Sequence, residues 1–419
     1  MEISPNPGPT APTPTFTPYQ KLVVGLLTFT QFTIVLDFMI MSPLGAIMMP
    51  ALKMSTSQFG LVVSMYAFSA GLSGLLAAGF ADKFDRKKLL LFFYVGFIIG
   101  TFLCGIAPDY KFLLIARMVT GLFGGVIGSV SMAITTDLFP LSMRGRVMGF
   151  LQTGFAASQI LGIPIGLYIS NLWGWHMPFM MIVGISTIAA LIILWKLQPI
   201  DEHLKLKNDR NAFMHLLNTL KNTHFLNAFA VTALMSIGGF MLMPFSSAFT
   251  VNNVGINIEK LPMIYFITGL FAIFIGPLVG RASDKLGKLK VFLFGAGLTI
   301  LTVIIYTNLG VTPLWLVIVI NIVMFCAIFS RIIPAQAMMS AIPSPVERGA
   351  FMAVSSSLQQ ISGGVASVIA GLIVVEQADH KLAHFDTLGY ILTCTVLVSA
   401  VMMTRISRVI AKQNKLKEV

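Results

Sequence analysis

Charge-poor stretches of about twenty residues recur along this chain, and each is long enough to cross a lipid bilayer as a helix. Twelve such windows lie at 22–49, 59–80, 89–108, 112–136, 146–170, 177–197, 225–250, 261–281, 290–308, 313–337, 349–375 and 387–405. A helix rises about 1.5 Å per residue, so about 20 residues match a hydrocarbon core of about 30 Å. Within lipid, backbone groups have no water to pair with, which leaves the helix as the natural form of such a segment. The pattern predicts an all-α membrane protein with twelve transmembrane helices. Composition agrees: 56% of residues are hydrophobic and 11% charged, against roughly 25% charged in soluble domains. A soluble fold of this size has too little interior to hide that much apolar surface.

The polar segments punctuate the windows. Residues 1–21 are rich in proline and read as a disordered tail. They lack the basic start and short apolar core of a cleaved leader. Residues 22–197 and 225–408 each hold six windows, 198–224 form a polar linker, and 409–419 a polar tail. The net charge of +12 is spread over loops and not gathered into a nucleic-acid-binding patch. With both termini in the cytoplasm, 22 of the 28 Lys and Arg residues fall on the cytoplasmic side. Four lie outside (Lys53, Lys111, Lys260, Lys381) and two, Arg117 and Arg331, within the membrane. That asymmetry follows the positive-inside rule and predicts a multi-pass protein of the cell (inner) membrane. Cys104, Cys326 and Cys394 all sit in apolar runs, unlike a disulfide framework or a metal cluster.

The two groups of six repeat one another. Residues 77–90 read AAGFADKFDRKKLL after the second window, and 279–292 read VGRASDKLGKLKVF after the eighth. Asp82 aligns with Asp284, and at nearly the same offset Arg144-Gly145 aligns with Arg348-Gly349. Two matching loops at equivalent places predict two pseudo-symmetric six-helix bundles.

These loops carry a resemblance. The segment from Ala78 through Asp82 to Lys88, and its second copy from Gly280 to Lys288, are similar to the G-x-L-a-D-r-x-G-r-k loop of the major facilitator superfamily. The first copy departs from it at Ala78 and Asp85, while the second keeps both glycines, Gly280 and Gly287. The resemblance implies the major facilitator fold, and a cytoplasmic gate built from Asp82, Arg86, Lys87, Asp284 and Lys288. Charged contacts of this kind are worth about 1 kcal/mol each, weak enough to form and break between conformations. The alternative is that the basic residues only fix topology.

Ionisable residues inside the windows are costly and mark candidate functional sites. Arg117 stands six residues into the fourth window, where the family carries an R-x-x-x-G motif; here the glycine is Gly121. Asp37 is the one acid well inside a window. Counted along their helices, both lie roughly 21–22 Å from the cytoplasmic surface, so they are candidate partners. Desolvation favours a neutral acid and a nearby cation favours a carboxylate. Opening and closing such a contact would therefore move a proton, the requirement for coupling. Two other readings stay open: a purely structural ion pair, and an Arg117 that reaches the outer surface.

The fifth window holds Gly154, Gly162, Pro164 and Gly166, followed by Gly174-Trp175-His176. The order resembles a variant of the antiporter motif of sugar- and drug-efflux members; a plain packing seam of small residues is the alternative. Arg331, near the cytoplasmic end of the tenth window, is a candidate gate residue with the loop of Glu347 and Arg348, or a residue reaching for headgroups. Gln31, Gln152, Asn227, Asn321 and Gln359 are candidate cavity-facing polar groups. His380 and His384 alone are too few for a metal site.

The chain lacks H-E-x-x-H and the Gly-x-x-x-x-Gly-Lys-Ser/Thr phosphate loop. No enzyme, cofactor or direct use of ATP is expected. The expected partners are a small-molecule substrate, protons and the lipid bilayer, with no nucleic acid, and the expected unit is a monomer. The expected function is proton-coupled efflux of a drug, sugar or metabolite by alternating access; an importer or an uncoupled facilitator is the alternative.

Overall fold

The structure is a computed structural model and describes residues 15–77, 80–205, 218–343 and 347–417. Among these residues, twelve helices are long and apolar enough to cross a bilayer. They are span 1 (Pro18–Ile40), span 2 (Thr56–Ala77), span 3 (Arg86–Gly105), span 4 (Tyr110–Leu138), span 5 (Met143–Trp173) and span 6 (Met177–Lys196). The second half follows as span 7 (Phe225–Asn252), span 8 (Ile258–Leu286), span 9 (Lys288–Thr307), span 10 (Leu314–Met339), span 11 (Gly349–Ile373) and span 12 (Phe385–Arg408). An even number of crossings puts both chain ends on one face, called here the terminal face; the other is the distal face.

The two halves pack by one scheme. Span 2 lies on span 4, span 3 on spans 4 and 6, and span 1 on spans 5 and 6; each pairing recurs six spans later. Between the halves, span 2 runs along span 11, and span 5 meets span 8. Large apolar side chains such as Phe92, Ile115, Trp195, Phe274 and Leu372 point outward. In water that surface would be unfavourable; against acyl chains it is not.

Several boundaries differ from the sequence expectation, for local reasons. Span 1 starts at Pro18 and not at 22, because Thr17 and Gln20 form a reciprocal capping box ahead of a proline in the first turn. The helix that carries span 12 runs on to Lys417, so the expected 409–419 tail is largely helical. In the linker, Glu202–Lys205 form a short helical turn, and 206–217 lie outside the described residues.

Two breaks are paired across the halves. Span 1 ends at Ile40, and Gly45–Ala51 resume as a short helix after Pro43. Span 7 is interrupted by a tight turn at Met243–Phe245 that holds Pro244. Proline cannot donate to the carbonyl four residues back, which explains each break. At the distal face the breaks meet: Ser42 Oγ donates to the Met243 carbonyl, and Ser247 Oγ donates to the Ser42 carbonyl at 2.9 Å. Beside them a hairpin of β1 (Val375–Glu376) and β2 (Leu382–Ala383) joins spans 11 and 12. Asn253 holds it by accepting from Leu382 N at 2.9 Å and donating to Leu382 O at 3.0 Å. Thr56 Oγ1, from the first half, donates to the Val374 carbonyl at 2.6 Å.

Candidate functional site: a buried ion pair between spans 1 and 4

One face of span 1 turns into the first bundle. Thr33 Oγ1 shares a hydrogen bond of 2.9 Å with Tyr94 Oη of span 3, and one turn later Asp37 faces the same way. Thr101 Oγ1 of span 3 donates to Asp37 Oδ1 at 3.1 Å. Arg117 Nη1 of span 4 donates to Asp37 Oδ2 at 2.7 Å, and neither side chain has any exposure.

Small residues place the arginine. A β-carbon on Gly121 would lie 2.4 Å from the Tyr66 carbonyl oxygen, and one on Gly125 would lie 2.4 Å from that of Ala70. Span 4 can therefore approach the span 2 backbone only with glycine at these positions. That approach sets the Tyr66 ring 4.6 Å from Arg117 Cζ, a cation–π contact. Tyr66 packs on Phe38 at 5.1 Å between centroids, and Phe38 meets Phe240 of span 7 at 5.7 Å. The ion pair is thus two aromatic contacts from the opposite half. Arg117 Nε and Nη2 make no hydrogen bond among the described residues. A buried guanidinium with two idle nitrogens has donors in reserve for another acceptor.

The glycines of span 5 face span 1. A β-carbon on Gly154 would meet Thr28 O at 2.4 Å, one on Gly162 would meet Leu36 Cδ1 at 2.6 Å, and one on Gly166 would meet Ile40 Cδ1 at 2.8 Å. The two helices run parallel, and the three contacts keep one register. Residues Ser158–Gly162 form a π-helical turn just before Pro164. The turn accommodates the missing N–H and bulk of that proline without ending the helix. Gly174, at φ 91°, then stops it.

The loop between spans 2 and 3 is tied within its own half. Arg86 is buried; its Nε donates to Asp137 Oδ2 at 3.0 Å and its Nη1 to the Ala81 carbonyl at 2.9 Å. Asp85 caps span 3 through Lys88 N at 2.8 Å and accepts from Ile200 N at 2.9 Å, while Arg86 N donates to Ile200 O at 3.0 Å. The Asp85 that replaces the motif glycine thus fastens the loop to the chain leaving span 6. The side chain of Asp82 lies outside the described residues. Lys87 is half-buried, and Asp284 and Lys288 are exposed; none of these three is brought to a charged partner among the described residues.

Arg331 is buried, its Nε has no hydrogen-bond partner, and it makes no ion pair among the described residues. One turn on, Ala335 packs with Val231, Phe292 and Met403, which places this face of span 10 inside the second bundle. The Arg348 side chain expected beside it lies outside the described residues. Asn321 Nδ2 donates to the Val317 carbonyl of its own helix at 2.8 Å. Gln31 is half-buried, and Gln152, Asn227 and Gln359 are exposed. Tyr66, Thr101 and Asp137 complete these contacts and were not singled out in the sequence. A lone threonine or tyrosine in an apolar window carries no signal of its own, although Asp137, an acid at a window edge, does.

The profile of the Major Facilitator Superfamily matches residues 27–367 and 228–418. The chain belongs to the Major Facilitator Superfamily. It is 28% identical over 381 residues to the uncharacterized MFS-type transporter YceJ of Bacillus subtilis (strain 168), covering 89% of this chain and 95% of that one. It is 26% identical over 234 residues to a probable sugar efflux transporter of Helicobacter acinonychis (strain Sheeba), covering 56% of this chain and 58% of that one. Among solved structures it resembles the D-xylose-proton symporter, with a TM-score of 0.72, 16% identity, and 92% and 97% of the two chains covered. This superfamily member is therefore a multi-pass membrane transporter and not an enzyme. Its fold is the two-bundle, twelve-helix arrangement expected from the sequence.

Proposed function

We propose that this protein exports a small molecule in exchange for protons, with Asp37 as the proton-carrying group and Arg117 as its switch. The observation that carries the reading is the unexposed 2.7 Å contact between them. A guanidinium stays charged, so a proton arriving on Asp37 leaves a buried cation without its counter-ion. That state favours a rearrangement that admits water and loosens span 1 from span 4. Loss of the proton restores the pair. Substrate binds the form in which the pair is intact and protonation dissolves that form, so proton and substrate exclude one another, which is the logic of an exchanger. The contact from Tyr66 through Phe38 to Phe240 carries the rearrangement to the other half, and the paired breaks at Ser42 and Met243 form the distal closure.

Efflux is favoured by the resemblance of Gly162-x-Pro164-x-Gly166 to the antiporter motif of efflux members and by the similarity to a probable sugar efflux transporter. We place both termini in the cytoplasm on the distribution of Lys and Arg, in a cell (inner) membrane, with the single chain as the working unit. The opposite direction has support in the fold likeness to a proton symporter. Proteoliposomes loaded with a panel of sugars and aromatic solutes decide between the two readings. For an exporter, an opposing proton gradient speeds loss of the substrate from the cytoplasmic side. Accumulation with the proton gradient would instead make it a symporter, and indifference to pH a facilitator.

A further inference from the structure

A cleft of about 500 Å³ lies between the terminal-face halves of spans 1 and 5, apart from the ion pair. That is the size of a site for one drug-sized molecule. Phe16, Phe29, Phe32 and Phe150 supply its apolar walls. The Arg146 guanidinium sits over the Phe16 ring at 4.7 Å from its centroid. Lys21 lines the cleft and has no acidic partner among the described residues. No Asp or Glu is among its lining residues. Thr28 Oγ1, also in the lining, is buried and has no hydrogen-bond partner among the described residues. That oxygen is sealed off by the surrounding protein, so the polar character of the cleft comes from Lys21.

We propose that this cleft takes amphipathic aromatic acids: the ring system packs among the four phenylalanines, and the carboxylate or sulfonate meets Lys21. The inference deepens the transport reading above by naming a substrate class. A sugar fits poorly, because Thr28 and Thr153 are too few to replace the water around its hydroxyls. A lipophilic cation fits poorly as well. Lys21 would repel it, and the intramembrane acid Asp37 is already held by Arg117. The other buried intramembrane charge, Arg331, is again a cation without an acidic partner among the described residues. An anionic phospholipid shares the same chemistry, but a cleft of this volume holds one rigid ring system and not two long acyl chains.

Calorimetric titration of the full chain in phosphatidylcholine nanodiscs tests this, with 2-naphthoate, neutral 2-naphthalenemethanol and cationic 2-naphthylmethylamine as probes. The expected result is saturable one-to-one binding of naphthoate, about tenfold tighter than the alcohol, with the amine weakest. Lys21→Gln should remove about tenfold of the naphthoate affinity and leave the alcohol unchanged. Lys111→Gln on the distal face should change nothing, and melting curves confirm folding of each variant. Equal affinities for the three probes, or unchanged binding in Lys21→Gln, would overturn the proposal. Displacement of naphthoate when phosphatidylglycerol enters the nanodisc would also overturn it, and assign the cleft to lipid. Binding is measured in Asp37→Asn as well. Naphthoate that binds there and in the natural chain, but moves no protons in either, leaves the cleft assignment standing and removes the coupling.

Discussion

Arg117 Nη1 stands 2.7 Å from Asp37 Oδ2, and each side chain is the other's only charged partner among the described residues. Breaking such a buried pair from one side costs about 3–5 kcal/mol, while replacing both partners by apolar groups costs far less. Asp37→Leu or Arg117→Leu alone should therefore lower the melting temperature of the purified protein sharply. The double variant should recover most of that loss. Additive losses would show that the pair contributes nothing as a pair.

Gly121 is the point where spans 2 and 4 come closest to the arginine. A β-carbon there would fall 2.4 Å from the Tyr66 carbonyl oxygen. Gly121→Val should push the helices apart and cost about 1–3 kcal/mol through overpacking. Gly184→Ala, in span 6 where a β-carbon meets nothing within 4 Å, should be neutral or stabilising by up to about 1 kcal/mol. Thermal unfolding in detergent separates the two outcomes, and equal behaviour would refute the close-approach account.

The distal closure depends on few groups. Ser247→Ala deletes the hydrogen bond to the Ser42 carbonyl, worth about 1 kcal/mol. The population open at the distal face should rise about fivefold, since about 1.4 kcal/mol is a tenfold change. Labelling of a cysteine placed at Ala248, which is buried beside Ser247 in the closed arrangement, by a membrane-impermeant maleimide reads that population. An unchanged labelling rate would show that the hydrogen bond does not hold the closure.

Asp85 both caps span 3 and receives Ile200 N. Asp85→Ala should cost about 0.5–2 kcal/mol, the range for a lost helix cap, and loosen the chain after span 6. Asp85→Gly restores the motif residue but should lose the same contacts. Faster proteolysis near Ile200 in both variants is the expected readout, and resistance equal to the natural chain would refute the role.

Much of this was legible in the residues. The twelve spans follow from run length and charge alone, because lipid enforces helices. Asp37 and Arg117 stood out because ionisable groups in apolar runs are rare, and equal depth paired them correctly. Helix breaks were harder to read: Pro43 and Pro244 are visible in the chain, but proline does not always end a membrane helix. Their pairing across the halves is a three-dimensional fact. Asp85 read as a departure from a motif, and its contacts to Ile200 could not be seen because they join loops far apart in sequence. The cleft beside span 1 arises where phenylalanines of two helices converge, and one-dimensional spacing does not distinguish them from lipid-facing rings.

The most direct test of the central claim is the pH change of a weakly buffered solution of purified protein when a transported substrate is added. At a pH low enough to protonate Asp37 before substrate is added, the natural chain should release about one proton per substrate bound, as binding restores the Asp37–Arg117 contact and empties the acid, and Asp37→Asn should bind substrate without releasing any. Equal proton release by both proteins would contradict the assignment of Asp37 as the coupling group.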